Sequence, residues 1–313
     1  MTQINIRFPE DNPFSRIKLR HLFGWFFLLA IGISFQRVMI GSTRGIKLDP
    51  KDPLVSEIIA IYLFILLGAL LWRQCRLAGI EIKYLVGKVP DRYQWLPLVR
   101  LAIASVFFSI GVFRIFYYPL SFIVPSFVEQ ILTEERNSSI LIAALKSFSP
   151  ALYYLQVALN DCVITPVFVA FFVISIPLHR CAAKWGNITA IIAMCLLWGT
   201  VAYKVFITMV IVLLIHAILY VKTRSLLVVI IFTILQNISF AVWNLSYTIF
   251  FGNQAGSTLD IFRSKVQLGV LFFVVSAPWV IGFIYKNWSV LKGPLPYFAN
   301  AAEAEKIKAD SET

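Results

Sequence analysis

The sequence predicts an all-α, polytopic integral membrane protein with about eight transmembrane helices. Three observations lead there. Of the 313 residues, 59% are hydrophobic, more than a water-facing surface can hide. Only 14% are charged, against about 25% in an average soluble domain. The apolar residues also gather in long unbroken runs, whereas the strands of a membrane barrel would alternate. Composition excludes a soluble enzyme and a disordered chain. At roughly 20 residues per span, about seven to nine spans fit the length.

Eight runs are long enough to cross a bilayer. They are Leu22–Phe35, Ile58–Trp72, Leu96–Ile115, Leu152–Leu178, Ile188–Ala202, Phe206–Val221, Leu226–Phe250 and Val266–Tyr285. The first reaches Ile40 if Gln36 and Arg37 are tolerated near the helix end. The fourth and seventh are long and have to tilt or begin outside the hydrocarbon. Only Tyr203 and Lys204 part the fifth from the sixth, which predicts a tight hairpin at the membrane surface. The segments divide into a cytoplasmic tail (1–20), a membrane domain (21–290) and a second cytoplasmic tail (291–313). The stretch after Leu295 is expected to be short, solvated and loosely ordered.

Basic residues set the orientation. Seventeen of the 28 fall on one side, from Arg7–Arg20, Arg73–Arg92, Arg180–Lys184, Lys222–Arg224 and Lys286–Lys308. Eight fall on the other: Arg44, Lys47, Lys51, Arg136, Lys146, Lys204, Arg263 and Lys265. Arg37, Arg100 and Arg114 lie in or beside spans. Both termini are therefore expected in the cytoplasm. The net charge of +12 is mainly this asymmetry, with attraction to anionic lipid. The basic residues are too scattered for a nucleic-acid surface. Polar first residues and the absence of a cleavage site predict an uncleaved anchor.

Outside the spans, Gly41–Pro53 has mixed charge and turn residues. The apolar segment from Tyr117 to Leu132, broken by Pro119 and Pro125, is expected to lie along the interface. The four cysteines, Cys75, Cys162, Cys181 and Cys195, have no paired spacing and read as small apolar residues or free thiols. His21, His179 and His216 form no metal-ligand spacing, so no metal and no cofactor is expected.

Polar side chains inside a membrane are functional candidates by default. The candidate intramembrane polar residues are Arg114, Asn160, Asp161, Tyr203, His216, Gln236, Asn237 and Asn244, joined by Thr200 and Thr233. Asp161 can pair with Arg114, since each sits toward the external end of its helix. Gln236, Asn237 and Asn244, two turns apart, suit interhelical hydrogen bonds. No serine-nucleophile elbow and no phosphate cradle occurs.

From Pro166 to Asn237 the landmarks follow a familiar order. Pro166-Val-Phe-Val-Ala-Phe-Phe-Val-Ile-Ser-Ile-Pro-Leu-His-Arg precedes Ala183-Lys-Trp-Gly and Leu196-Leu-Trp-Gly-Thr-Val-Ala-Tyr. Then come Ala217-Ile-Leu-Tyr-Val-Lys-Thr-Arg-Ser-Leu-Leu and Ile231-Phe-Thr-Ile-Leu-Gln-Asn. This resembles the membrane core of the CPBP family, the CAAX-processing and bacteriocin-processing (Abi) intramembrane endopeptidases, over a core of about 150–250. Gly87–Trp95 and Pro125-Ser-Phe-Val-Glu also look like bacterial members, which implies a bacterial plasma or internal membrane.

The resemblance implies a glutamate pair and an arginine soon after a proline, a histidine in the next span, and a late histidine–asparagine motif. Such residues would activate water and stabilise the oxyanion of a peptide carbonyl. Here Val169 and Ala170 stand at the glutamate pair and Ile174 at the arginine. The next motif reads Trp198-Gly-Thr-Val-Ala202, with alanine for histidine. The late one reads Thr233-Ile-Leu-Gln-Asn237, which keeps only Asn237. Glu134-Glu135-Arg136, in an external loop, does not replace them.

Apolar residues at the base positions cannot take a proton from water. The expectation is a catalytically inactive pseudo-protease with no catalytic residues. It would bind or stabilise another membrane protein or transmembrane helix through a groove between the fourth to seventh spans. Two alternatives stand beside it: a divergent protease using Asp161, His216, Tyr203 and Asn237, and a transporter or channel.

Overall fold

The computed structural model describes residues 12–18, 20–21, 24–25, 27–29, 31–32, 52–137, 140–147, 149–251 and 258–312. Every regular element among them is a helix. The Asp52 carboxylate accepts from the Leu54 N–H at 2.8 Å and so caps α1 (Pro53–Ala78), with Pro53 at its first turn. Gly79, at φ 76°, ends it in a left-handed turn. A short α2 (Ile82–Val86) leads to α3 (Trp95–Ile123), then α4 (Pro125–Asn137) and α5 (Ile140–Lys146). A long rod, α6 (Pro150–Trp185), is followed by α7 (Asn187–Val201), α8 (Phe206–Thr223) and α9 (Leu226–Phe251). The chain ends with α10 (Thr258–Ser264), α11 (Val266–Asn287) and α12 (Pro296–Glu312).

Six of these are long and apolar enough to cross a membrane: α1, α3, α6, α8, α9 and α11, α8 and α11 with the turns that adjoin them. The expected fifth span differs. α7 has 15 residues, about 22 Å, against a hydrocarbon core of about 30 Å. Half of the expected first span, and all of Gly41–Lys51, lies outside the described residues. The hairpin after α7 is as tight as expected, a single turn at Tyr203–Val205. It closes because Gly199 lets α7 approach α8: a Cβ there would sit 2.7 Å from Val210 and 3.0 Å from Phe206.

α6 contains two wide π turns, Asn160–Ile164 and Val169–Ser175. Each ends one residue before a proline is reached, at Thr165-Pro166 and Ile176-Pro177. Proline lacks the N–H that would close an ordinary turn and crowds the preceding carbonyl. The wider turn, with Thr165 N–H bonded to Asn160 O and Ile176 N–H to Phe171 O, absorbs both effects without breaking the rod.

The topology sorts the connections onto two ends. α2, Gly186, the α8–α9 turn and α12 share one end. α4, α5, Tyr203–Val205 and α10 share the other. The main core lies among α6–α9 and α3, with Ile174, Leu178, Ile191, Ile215, Tyr220 and Phe232 fully enclosed. A satellite core of Tyr117, Val128, Ile131, Leu132, Leu259 and Phe262 seats α4 and α10 against the end of α3.

Two sequence expectations are corrected. Pro119 does not break α3, because Tyr117 and Ser121 on either side are buried and anchored. Tyr117 donates to Lys204 O at 2.7 Å, and Arg263 Nε donates to Ser121 Oγ at 3.1 Å. Only 125–137 forms a separate helix. The C-terminal segment is not loosely ordered at its start either, since Leu295, Tyr297 and Ala299 are buried. The first turn of α12 docks on α6, where Tyr297 N–H donates to His179 Nε2 at 3.2 Å. His179 Nδ1 meets Ser175 O at 2.7 Å, so the ring is neutral and caps a helix start that would otherwise lack an acceptor. Phe14, from the N-terminal segment, stacks on the same imidazole at 4.7 Å.

Candidate functional site

The candidate polar residues do not form one site; the structure divides them among separate places. At the positions where the resemblance requires acid and base, Ala170 and Ile174 are fully buried, Val169 packs on the same core and Trp198 meets Phe172 edge-on at 5.8 Å. Ala202 lies in the turn that ends α7. The expected groove is thus filled at these positions. His216 Nδ1 meets Val212 O at 2.7 Å, and Nε2 meets Thr233 Oγ1 at 3.0 Å. Both ring nitrogens are engaged, and neither bonds Asp161.

The three amides of α9 face three different helices. Gln236 donates to Ser105 Oγ on α3 at 2.6 Å, Asn237 to the Asp161 carbonyl on α6 at 2.8 Å, and Asn244 accepts from Ile140 N–H on α5 at 3.3 Å. They act as interhelical fasteners. Tyr203 is exposed at the hairpin, its ring 5.7 Å from Lys204 Nζ. Thr200 bonds back to Leu197 O within its own helix.

The Arg114–Asp161 pair does not form. Asp161 lies in the first π turn of α6 beside Glu57 of α1, close enough for the two carboxylates to interact. Asn160 donates to Glu57 at 3.1 Å and accepts from Thr165 at 3.2 Å. Glu57 escaped notice because the apolar run was drawn from Ile58. The helix-start signal Asp52-Pro53, upstream of it, would have placed it one turn inside α1.

Arg114 instead lines a cavity of about 510 Å³ under α4. Its wall comes from α3 (Ser109, Phe113, Arg114), α4 (Ile131, Glu134, Glu135), the hairpin (Lys204), the start of α8 (Thr208) and α9 (Phe240, Trp243, Asn244, Tyr247), and α10 closes it with Phe262. Arg114 is 8% exposed, donates to Lys265 O at 3.4 Å, and has Tyr247 5.3 Å and Phe262 5.9 Å away. It fits there because α3 and α11 meet through glycines. A Cβ on Gly269 would fall 2.5 Å from Arg114 Cβ, and one on Gly111 2.7 Å from Phe273 N.

Glu134 and Glu135 therefore belong to a helix that covers this cavity, not to an external loop. Glu134 forms an ion pair with Lys204, which holds its carboxyl below the usual range. Glu135 keeps accessible area because it faces the cavity, yet its surroundings desolvate it. Burial pushes its carboxyl up, and Arg114 pulls it partly back. The signal was available in the sequence as a proline-started, amphipathic stretch with adjacent acids.

The described residues contain no cluster of three metal-ligating side chains, and the four cysteines are free thiols. No protein-family model, characterised protein or solved structure matches the chain.

Proposed function

We propose that this chain is a non-catalytic multi-pass membrane protein, a CPBP-like pseudo-protease by the order of its landmarks, that binds or stabilises another membrane protein. One observation supports it above the rest. The positions that would hold base and electrophile in an intramembrane peptidase are apolar and packed, with Ala170 and Ile174 wholly enclosed. Water activation needs a base within hydrogen-bond reach of the water. His216, the imidazole that a divergent protease would use, bonds Val212 O and Thr233 Oγ1. The basic-rich end is assigned to the cytoplasm on the charge asymmetry, which puts both termini there, and the bacterial membrane rests on the resemblance alone.

The test has two arms. In native membranes, one membrane protein should co-purify in fixed stoichiometry, and its steady-state level should fall when this chain is deleted. Purified protein should leave a membrane-embedded peptide intact. Cleavage that Asp161→Ala or Asn237→Ala abolishes would overturn the proposal, as would deletion with no change in any associated membrane protein.

A further inference from the structure

The cavity under α4 is independent of that reading, and the charges on its wall are already balanced. Glu134 pairs with Lys204, and Glu135 feels the charge of Arg114. The Lys204 and Glu134 side chains are 35% and 46% exposed and mark the rim, whereas Arg114 is buried. A charged ligand would have to draw one of these groups from its partner, and the abandoned charge would then oppose binding. An uncharged ligand leaves both pairs intact. Phe113, Ile131, Phe240, Trp243 and Phe262 offer it an apolar wall.

The remaining polarity of the wall divides into donors and acceptors. A guanidinium has five N–H donors in a planar fork. A carbonyl takes one and a carboxylate bound side-on takes two. Arg114, with Lys265 O at 3.4 Å and Glu135 as its counter-charge, therefore keeps N–H groups for a further acceptor. Ser109 and Thr208 are the converse. Each gives its one hydroxyl hydrogen to a carbonyl of its own turn, Ser109 to Ser105 O at 2.8 Å and Thr208 to Val205 O at 2.7 Å. Toward the cavity their oxygens can only accept. The wall thus suits an apolar body that carries both a carbonyl and a hydroxyl. Depth agrees with this. Arg114 stands 19 residues after exposed Trp95, about 28 Å along α3 and nearly the thickness of a hydrocarbon core. With Trp95 at the interface of the basic-rich end, Arg114 lies level with the ester groups of the opposite one.

We propose that the cavity binds an uncharged acylglycerol with a free hydroxyl, of the diacylglycerol class. An ester carbonyl accepts from Arg114, the hydroxyl donates to Ser109 or Thr208, and one acyl chain runs among Phe113, Trp243 and Phe262. The volume of about 510 Å³ falls in the range that takes a small head with part of a chain. Both ion pairs stay closed when the ligand enters.

The test uses the full-length protein, stripped of lipid in detergent. It is offered equal amounts of dioleoylglycerol, the methyl ether of its hydroxyl, phosphatidylethanolamine, phosphatidylglycerol and oleate. Retained lipid is counted by native mass spectrometry. Dioleoylglycerol should be retained about tenfold over each charged lipid. It should also be retained about tenfold over the ether, which keeps the carbonyls but has no hydrogen to donate. Arg114→Met should lower its retention about tenfold. Ser109→Ala combined with Thr208→Val removes the acceptors at little change in shape, so the folded double variant should hold the alcohol and the ether alike. Equal retention of the five lipids, a preference for any charged one, or a polypeptide held in place of lipid would each overturn the proposal. So would a preference for the alcohol that survives in the double variant.

Discussion

The core of α6, α8 and α9 and the cavity under α4 solve the same problem in opposite ways. Both must place polar side chains among apolar helices. In the core, His216 and Thr233 bond to each other and to backbone carbonyls, and Asn237 spends its amide on the Asp161 carbonyl. Space there is filled. Under α4, by contrast, Arg114 and Glu135 border a cavity, and among the described residues the guanidinium meets one hydrogen-bond acceptor, Lys265 O. A polar group closed on itself fastens helices together, whereas one facing a cavity can bind. The region singled out by the family resemblance is of the first kind, and the region passed over as an external loop is of the second.

The harshest way to break this contrast is to put back the residue that the resemblance expects. Ala170→Glu would bury a carboxyl at a site with no exposed surface and no partner made for it. The expected loss is about 3 kcal/mol or more, read as a lower melting temperature and a smaller monodisperse fraction on size exclusion. A variant as stable as the parent would show that the core holds polar space after all, and the distinction between the two regions would fall.

A smaller effect sharpens the other half of the contrast. Gly269→Ala places a methyl 2.5 Å from Arg114 Cβ, so α3 and α11 have to separate or Arg114 has to swing. Overpacking of this kind costs about 1–3 kcal/mol. Gly282→Ala, on the same helix, meets nothing within 4 Å and gains up to about 1 kcal/mol from helix propensity. Thermal unfolding of the two variants should therefore move in opposite directions. Equal shifts would mean that the close approach of the helices does not position Arg114.

The spans were legible because apolar runs need no tertiary information. Six of the eight runs coincide with helices that meet the length and hydropathy of a span. What depended on three-dimensional packing was not legible. Pro119 reads as a breaker, yet buried Tyr117 and Ser121 carry the helix through it. Pro166 and Pro177 give no hint that π turns precede them. The polar tail reads as loose, although its first turn is capped by His179, 118 positions away in sequence. The candidate polar residues were correctly picked out as unusual in a membrane. Their partners were not: Arg114 turns to Lys265, Tyr247 and Phe262, and Asp161 lies beside Glu57.

The smallest effect concerns the two adjacent acids, which titrate in opposite senses. Glu134 is held below its ordinary value of 4.5 by Lys204, so the contribution of that ion pair is present at neutral pH and is lost only as pH falls through the lowered value. Glu135 is raised above 4.5 by burial. Its folded form binds the proton more tightly than the unfolded chain, so stability falls as pH rises through the window between 4.5 and the raised value. Acidifying from neutral through that window should therefore relieve Glu135 while the Glu134–Lys204 pair persists. Amide exchange in α4, corrected for its intrinsic pH dependence, should slow slightly there and quicken only in stronger acid. Glu135→Gln should remove the first phase and leave the second. Exchange that quickens steadily from neutral pH downward, alike in parent and variant, would show that Glu135 is solvated, and that the space it faces is open water rather than a desolvated cavity.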